Sequence, residues 1–159
     1  MFTNLITDRT AADVAAVIRL RDKGWDGMTD AEREQWTSGM KGAYNASDLN
    51  RVCNALNDVR DILTEVGYLS GREFQLKTSW TTGEIITADF FDVYIYAVET
   101  VRGALAQFDT TPQTPNNVGS LNYKEANDIE KILIDVYNIY QLLIQTKNIY
   151  CGEIYGGEI

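Results

Sequence analysis

Asn45-Ala46-Ser47-Asp48-Leu49-Asn50-Arg51-Val52 and Asn122-Tyr123-Lys124-Glu125-Ala126-Asn127-Asp128-Ile129 begin with the same helix-start grammar. In each, an asparagine is followed three places on by an acidic residue, and a second asparagine comes two places after that. An asparagine N-cap accepts hydrogen bonds from first-turn amides, and an acidic residue three places on returns a bond to the cap amide, so both stretches read as capping boxes. The offset that carries Asn45 onto Asn122 also aligns Thr10-Ala11 with Thr87-Ala88, Ile18 with Ile95, Gly42 with Gly119, and Asp58-Val59 with Asp135-Val136. The chain therefore reads as a duplicated helical unit, the alternative being two amphipathic helices that share capping rules. Two units are too few for a solenoid and would pack face to face.

Working outward, the helix from Asn45 or Ser47 carries Leu49, Val52, Cys53, Leu56, Val59, Ile62, Leu63 and Val66 at helical spacing and stops at Gly67. Before it, Thr10 caps a first helix that runs to about Lys23, and Thr29 with Glu32 opens a short second one ending near Gly39 to Gly42. Thr87 caps a fourth helix whose Phe90, Phe91, Val93, Tyr94, Ala97, Val98, Val101 and Leu105 form a broad apolar surface, which predicts a central position. Pro112 and Pro115 forbid its continuation. In the fifth helix Ala126, Ile129, Leu133, Val136, Tyr140 and Leu143 recur in 3-4-3-4-3 steps, flanked by Ile132 and Ile139. Two such seams suit a helix inside a bundle, and a two-stranded coiled coil, hence a dimer, is the alternative.

The period changes between the third and fourth helices. Phe74-Gln75-Leu76-Lys77-Thr78-Ser79-Trp80 alternates as a half-buried extended segment does, and its candidate partner is the equally extended-looking Ile149 to Tyr155. A short two-stranded ribbon or a structureless packed linker follows. The end of the chain repeats Gly-Glu-Ile, and its glycine content argues against helix. The expected fold is all-α: a five-helix bundle over residues 1–148, with a glycine-rich tail at 149–159.

At 159 residues the chain fits one domain with a real core. A net charge of -9 repels phosphate backbones and anionic lipid, which disfavours nucleic-acid binding. No apolar run approaches a membrane span and the first residues lack a signal-peptide pattern, so a soluble protein made in the cytoplasm is expected. Cys53 and Cys151 have neither metal nor redox spacing; each reads as a small apolar residue or bystander thiol, with a disulfide between them as the alternative.

Histidine is absent, which removes imidazole bases, catalytic triads and the Glu-x-x-His di-metal pattern. The carboxylates Asp48, Asp58, Asp61, Glu65, Asp89, Asp92, Glu125 and Asp128 read as first-turn or solvated groups rather than a hydrolytic pair, and Arg51–Asp48 and Lys131 with Asp128 or Asp135 as surface ion pairs. Gly24-Trp25-Asp26-Gly27 lacks the companions of a phosphate loop, so no cofactor is expected. Asn50 and Asn127 stand among apolar neighbours on their helices, where a buried amide must be paired; they are candidate polar residues at helix crossings. Trp25 and Trp36 flank the second helix and are expected to seal it onto the bundle, with Trp80 anchoring the linker. Tyr150, Ile154, Tyr155 and Ile159, in the tail, are the candidate interface.

Arg9-Thr10-Ala11-Ala12-Asp13-Val14, Lys23-Gly24-Trp25, Met28-Thr29-Asp30-Ala31-Glu32, Lys41-Gly42-Ala43-Tyr44-Asn45 with Asp48-Leu49-Asn50-Arg51-Val52, Ala126-Asn127-Asp128-Ile129-Glu130 and Cys151-Gly152-Glu153-Ile154 together resemble a module encoded in phages and prophages of Gram-positive, especially gut, bacteria. The resemblance spans nearly the whole chain and implies a virion or tail-associated structural role through a protein partner or self-association, with no catalytic residues to carry over. A binding protein for a small ligand or glycan is the alternative, and predicts a cleft with exposed Trp25, Trp36 or Trp80 beside unpaired amides.

Overall fold

A computed structural model describes residues 4–116 and 121–155, with the side chains of 148–155 outside that description. Five α-helices, and no strand among the described residues, make an all-α fold: α1 (Ala11–Lys23), α2 (Asp30–Ser38), α3 (Ala46–Glu65), α4 (Ala88–Arg102) and α5 (Tyr123–Tyr155), with one 3-10 turn at Trp25–Gly27.

The starts are where the side chains dictate. Asn45 accepts from the amides of Ser47 and Asp48 while its own amide donates to Asp48, and Asn122, Lys124 and Glu125 repeat the pattern at α5. Thr10 with Asp13 and Thr29 with Glu32 form the capping boxes of α1 and α2. At the end of α3, Gly67 takes φ +84°, and the Tyr68 and Gly67 amides donate back to the Leu63 and Thr64 carbonyls, a left-handed stop that satisfies two orphan acceptors.

α3, α4 and α5 pack against one another around Leu49, Val52, Leu56, Val59, Leu63, Tyr94, Val98, Val101, Ile129, Leu133 and Val136. Each such side chain contributes about 1.5–3 kcal/mol on burial. The offset-related pairs Leu56/Leu133 and Val59/Val136 are all in this core. α4 shares the centre rather than occupying it, since Val93 and Tyr96 on its far side are exposed. α1 and α2 close over a smaller core of Leu20, Met28 and Met40. Gly42 is what lets the loop after α2 touch α1: a Cβ there would lie 2.2 Å from the Asp13 carbonyl oxygen.

The segment after α3 runs back along it with Phe74 and Leu76 buried, Thr78 and Trp80 half-buried, and Gln75, Lys77 and Ser79 exposed. Its alternation is that of a strand, but its partners are side chains. The Asn57 amide donates to the Leu76 carbonyl at 3.0 Å and accepts from the Leu76 amide at 3.1 Å; Asn50 does the same for Trp80 at 2.8 and 2.7 Å. Asn50 and Asn57 lie two helical turns apart, roughly 10 Å, close to the roughly 13 Å that four extended residues span. Of the two readings of this segment, the ribbon does not form, since the backbone of its other half, 149–155, belongs to α5. Helix propagation from an already formed long helix costs little per residue, which outweighs the penalty of Gly152.

Candidate functional site

The polar residues of the interior gather where the N-terminal segment crosses α3 and α5. Glu130, fully buried, accepts from Arg9 at 2.7 Å, from Arg51 at 3.0 Å and from the Ile6 amide at 2.5 Å. Asp48 uses one carboxylate oxygen for the α3 cap and the other for Arg9 and Arg51, at 3.1 and 2.6 Å. Arg9 also donates to the Ile6 carbonyl and lies over the Tyr44 ring, whose hydroxyl pairs with that of Tyr94 at 2.8 Å. Arg9 Nε has no partner. Burial works to lower the Arg51 pKa, but its bonds to Glu130 and Asp48 outweigh that and raise it.

Arg51–Asp48 is therefore part of a buried network, not the surface pair its spacing implies. Lys131 reaches Asp135, not Asp128, and Asp135 is also buried, accepting from Thr111 at 3.0 Å. A hydrolytic carboxylate pair needs one acid without a cationic partner. Asp48, Glu130 and Asp135, the buried carboxylates among the described residues, each have one. Among those residues no three His, Cys, Asp or Glu side chains are placed to share a metal ion, and no helix is long and apolar enough to cross a membrane. Cys53 is free, with burial pushing its thiol up to about 12.

Glu130 and Arg9 escaped the reading of the sequence as functional groups. The signal was there for Glu130, which follows Ala126 by four residues and precedes Leu133 by three, putting a charge on the apolar face of α5.

Asn127 pairs with Arg9 as Asn50 does with Trp80: it accepts from the Arg9 amide at 3.0 Å and donates to the Arg9 carbonyl at 2.9 Å. Both offset-related asparagines thus clasp extended backbone, not a crossing helix. The clasp is reciprocal. Asn50 of the first half holds the segment leading into α4, and Asn127 of the second holds the segment leading into α1.

Trp25 and Trp36 do not seal α2. Trp25 is 52% exposed beneath the Arg33 guanidinium, and Trp36, 37% exposed, edges a cleft of about 480 Å³ with Val17, Met40, Ala43, Asn45 and Thr82. Trp80 anchors the linker, its ring edge-on to Phe90 at 4.6 Å.

The largest break between sequence pattern and packing is on α5. Its 33 residues span about 50 Å, against about 30 Å for the 20 of α3. Ile129 through Ile139 supply buried side chains, whereas none from Gln141 to Lys147 is buried, although Leu142, Leu143 and Ile144 continue the apolar run. Leu142 is 52% and Leu143 40% exposed, and Val66 and Tyr68 at the end of α3 are open beside them. Tyr140, Leu143, Ile144 and Lys147 with Val66 and Tyr68 line a shallow groove of about 270 Å³. The backbone of Tyr150, Ile154 and Tyr155 continues this helix, their side chains lie outside the description, and Ile159 lies outside the described residues altogether. No protein-family model matches this sequence, and comparison with curated proteins and with solved structures found no match.

Proposed function

We propose that this chain is a non-enzymatic structural or assembly module that works by protein–protein contact at the distal end of α5, as in the phage and prophage modules its sequence resembles. One observation carries the reading: the 3-4 apolar seam of α5 runs out of the bundle core, and Leu142 and Leu143 stay exposed among the described residues. Exposed apolar surface continuous with a core seam is costly in water and marks a site that another chain covers. The buried polar network supports it from the other side, since cation-paired carboxylates fix α3, α5 and the N-terminal segment as a rigid base for that helix.

The test is Leu142→Ser with Leu143→Ser, alongside removal of Tyr150 to Ile159. Helix content and melting temperature that hold, with loss of binding of an apolar-surface dye, support an open docking face. A fall in melting temperature like that of a core substitution makes this face bundle packing and sinks the reading.

The cleft at Trp36 favours a second reading, a small-ligand or glycan-binding protein, because a half-exposed indole beside Thr37, Ser38 and Ser47 suits sugar stacking. Titration of tryptophan fluorescence with a glycan panel checks it. A saturable change abolished by Trp36→Ala supports that reading, and no change across the panel removes it.

A further inference from the structure

We infer, resting on the small-ligand reading of the Trp36 cleft above, that its ligand is a linear, uncharged oligosaccharide whose chain leaves the cleft and runs along one face of α3 as far as Asp58. The cleft shares Gly39, Asn45 and Ser47 with a second hollow of about 370 Å³ that extends to Lys41 and Arg51. Arg51 and Ser47 also border a third, of about 470 Å³, that reaches Asn54 and Asp58. Ser47 is common to all three, so they form one groove. Its α3 wall is a single stripe. Ser47, Arg51, Asn54 and Asp58 follow steps of four, three and four, which keeps them on one helix face over roughly 16 Å. That length exceeds a single sugar ring and calls for a chain of them.

The hydrogen-bonding groups left over along the stripe are of both kinds. Arg51 Nη1 has no partner among the described residues, since the bonds to Asp48 and Glu130 come from Nη2 and Nε. Asn54 donates its Nδ2 to the Asn50 carbonyl and keeps Oδ1, and the Asp58 carboxylate is exposed and unpaired among the described residues. A hydroxyl both donates and accepts, so a sugar chain meets the donor and the acceptors alike. At the other end the half-exposed Trp36 indole, with Val17 and Met40 in the same cleft, provides an apolar surface for a ring face.

Charge disfavours an acidic ligand. Lys41 is held by Asp8 at 2.7 Å, Arg9 and Arg51 are matched by Asp48 and Glu130, and Asp58 adds an uncompensated negative charge in a chain of net charge -9. The wall does not suit a peptide either. An extended peptide is gripped by main-chain pairing and a helical one by a row of apolar pockets. Here the first-turn amides of α3 are taken by Asn45 and the stripe is polar.

Calorimetric titration of the full chain with neutral glucan, galactan and chitin oligosaccharides, each from the single ring upward, tests this, with oligogalacturonate and a polar extended peptide as the competing classes. Affinity should rise with chain length until the stripe is filled. Asp58→Ala should weaken binding of the long sugar about tenfold and Asn54→Ala about twofold to tenfold, with the shortest sugar that binds unaffected. Asp58→Asn, which keeps an acceptor, should recover much of the loss, and Trp36→Ala should abolish binding at every length. Asn54 and Asp58 are exposed, so the melting temperature should hold in these variants. Equal affinity for short and long sugars, or long-sugar binding untouched by Asp58→Ala and Asn54→Ala, overturns the α3 path while the Trp36 reading stands. Binding of oligogalacturonate or of the peptide in place of the neutral sugars overturns the ligand class. No heat with any of these ligands takes both down.

Discussion

Replacing Arg9 with methionine should be among the most damaging single changes to this fold, although Arg9 precedes the first helix and belongs to no regular element. Its guanidinium is almost wholly buried and supplies charge-assisted bonds to Glu130 at 2.7 Å and Asp48 at 3.1 Å. Each is worth about 1.5–3 kcal/mol. Methionine removes both and leaves two buried carboxylates to share Arg51, whose side chain is 19% exposed. Breaking a buried pair on one side costs about 3–5 kcal/mol, because the abandoned charge keeps its desolvation penalty. Against a total stability of about 5–15 kcal/mol, that is about a fifth or more. Over a chain of this size it lowers the melting temperature by roughly 6–20 °C.

Urea unfolding followed by circular dichroism, with the slope checked against wild type, measures it. Two features separate the mechanism from generic damage. The deficit should survive high salt, since buried pairs are weakly screened. Adding Glu130→Met to Arg9→Met should recover stability by leaving Asp48 and Arg51 as a neutral pair. A loss under about 1 kcal/mol, or a double variant worse than the sum of its parts, refutes the claim that these charges are desolvated and coupled.

Gly42→Ala should cost about 1–3 kcal/mol or more, because its Cβ meets backbone and not a yielding side chain. Hydrogen exchange should show the loss in α1 and α2 while α3 to α5 stay protected, and uniform loss would mean the small core is not separable. Asn57→Ala should cost about 2–5 kcal/mol by orphaning the buried Leu76 amide and carbonyl, and Asn50→Ala only about 1–2, since water replaces it at half-exposed Trp80. Denaturation giving the reverse order would contradict the clasp argument. Glu32, held at about 2 first by its bond from Lys23 and then by the Thr29 amide, has a folded pKa below its ordinary 4.5. Its stabilisation is present above about 4.5 and is lost as pH falls toward 2, so the melting-temperature gap between wild type and Glu32→Gln should close over that window. A gap that persists at pH 2 would refute it.

The five helices were legible because their determinants are local. Asn45, Asn122, Thr10, Thr29 and Thr87 each bond within three residues of themselves, and the apolar rows of α3 and α5 repeat on the period of one helix. The half-buried alternation from Phe74 to Trp80 was local too, but its partners, Asn50 and Asn57, were not, because a side-chain amide replacing a strand edge has no sequence period. The same limit hid the network. Arg9 and Glu130 lie 121 positions apart and meet only when α3 and α5 pack. The fate of the tail turned on competition between Gly152 and an already propagating helix, which a local count of glycines does not resolve. Sequence alone thus determined which segments are helical and which faces are apolar, since both follow from neighbours a few residues away. Only the tertiary structure decided which charges are buried and where the α5 seam runs out of partners, because burial is a property of what else arrives in space.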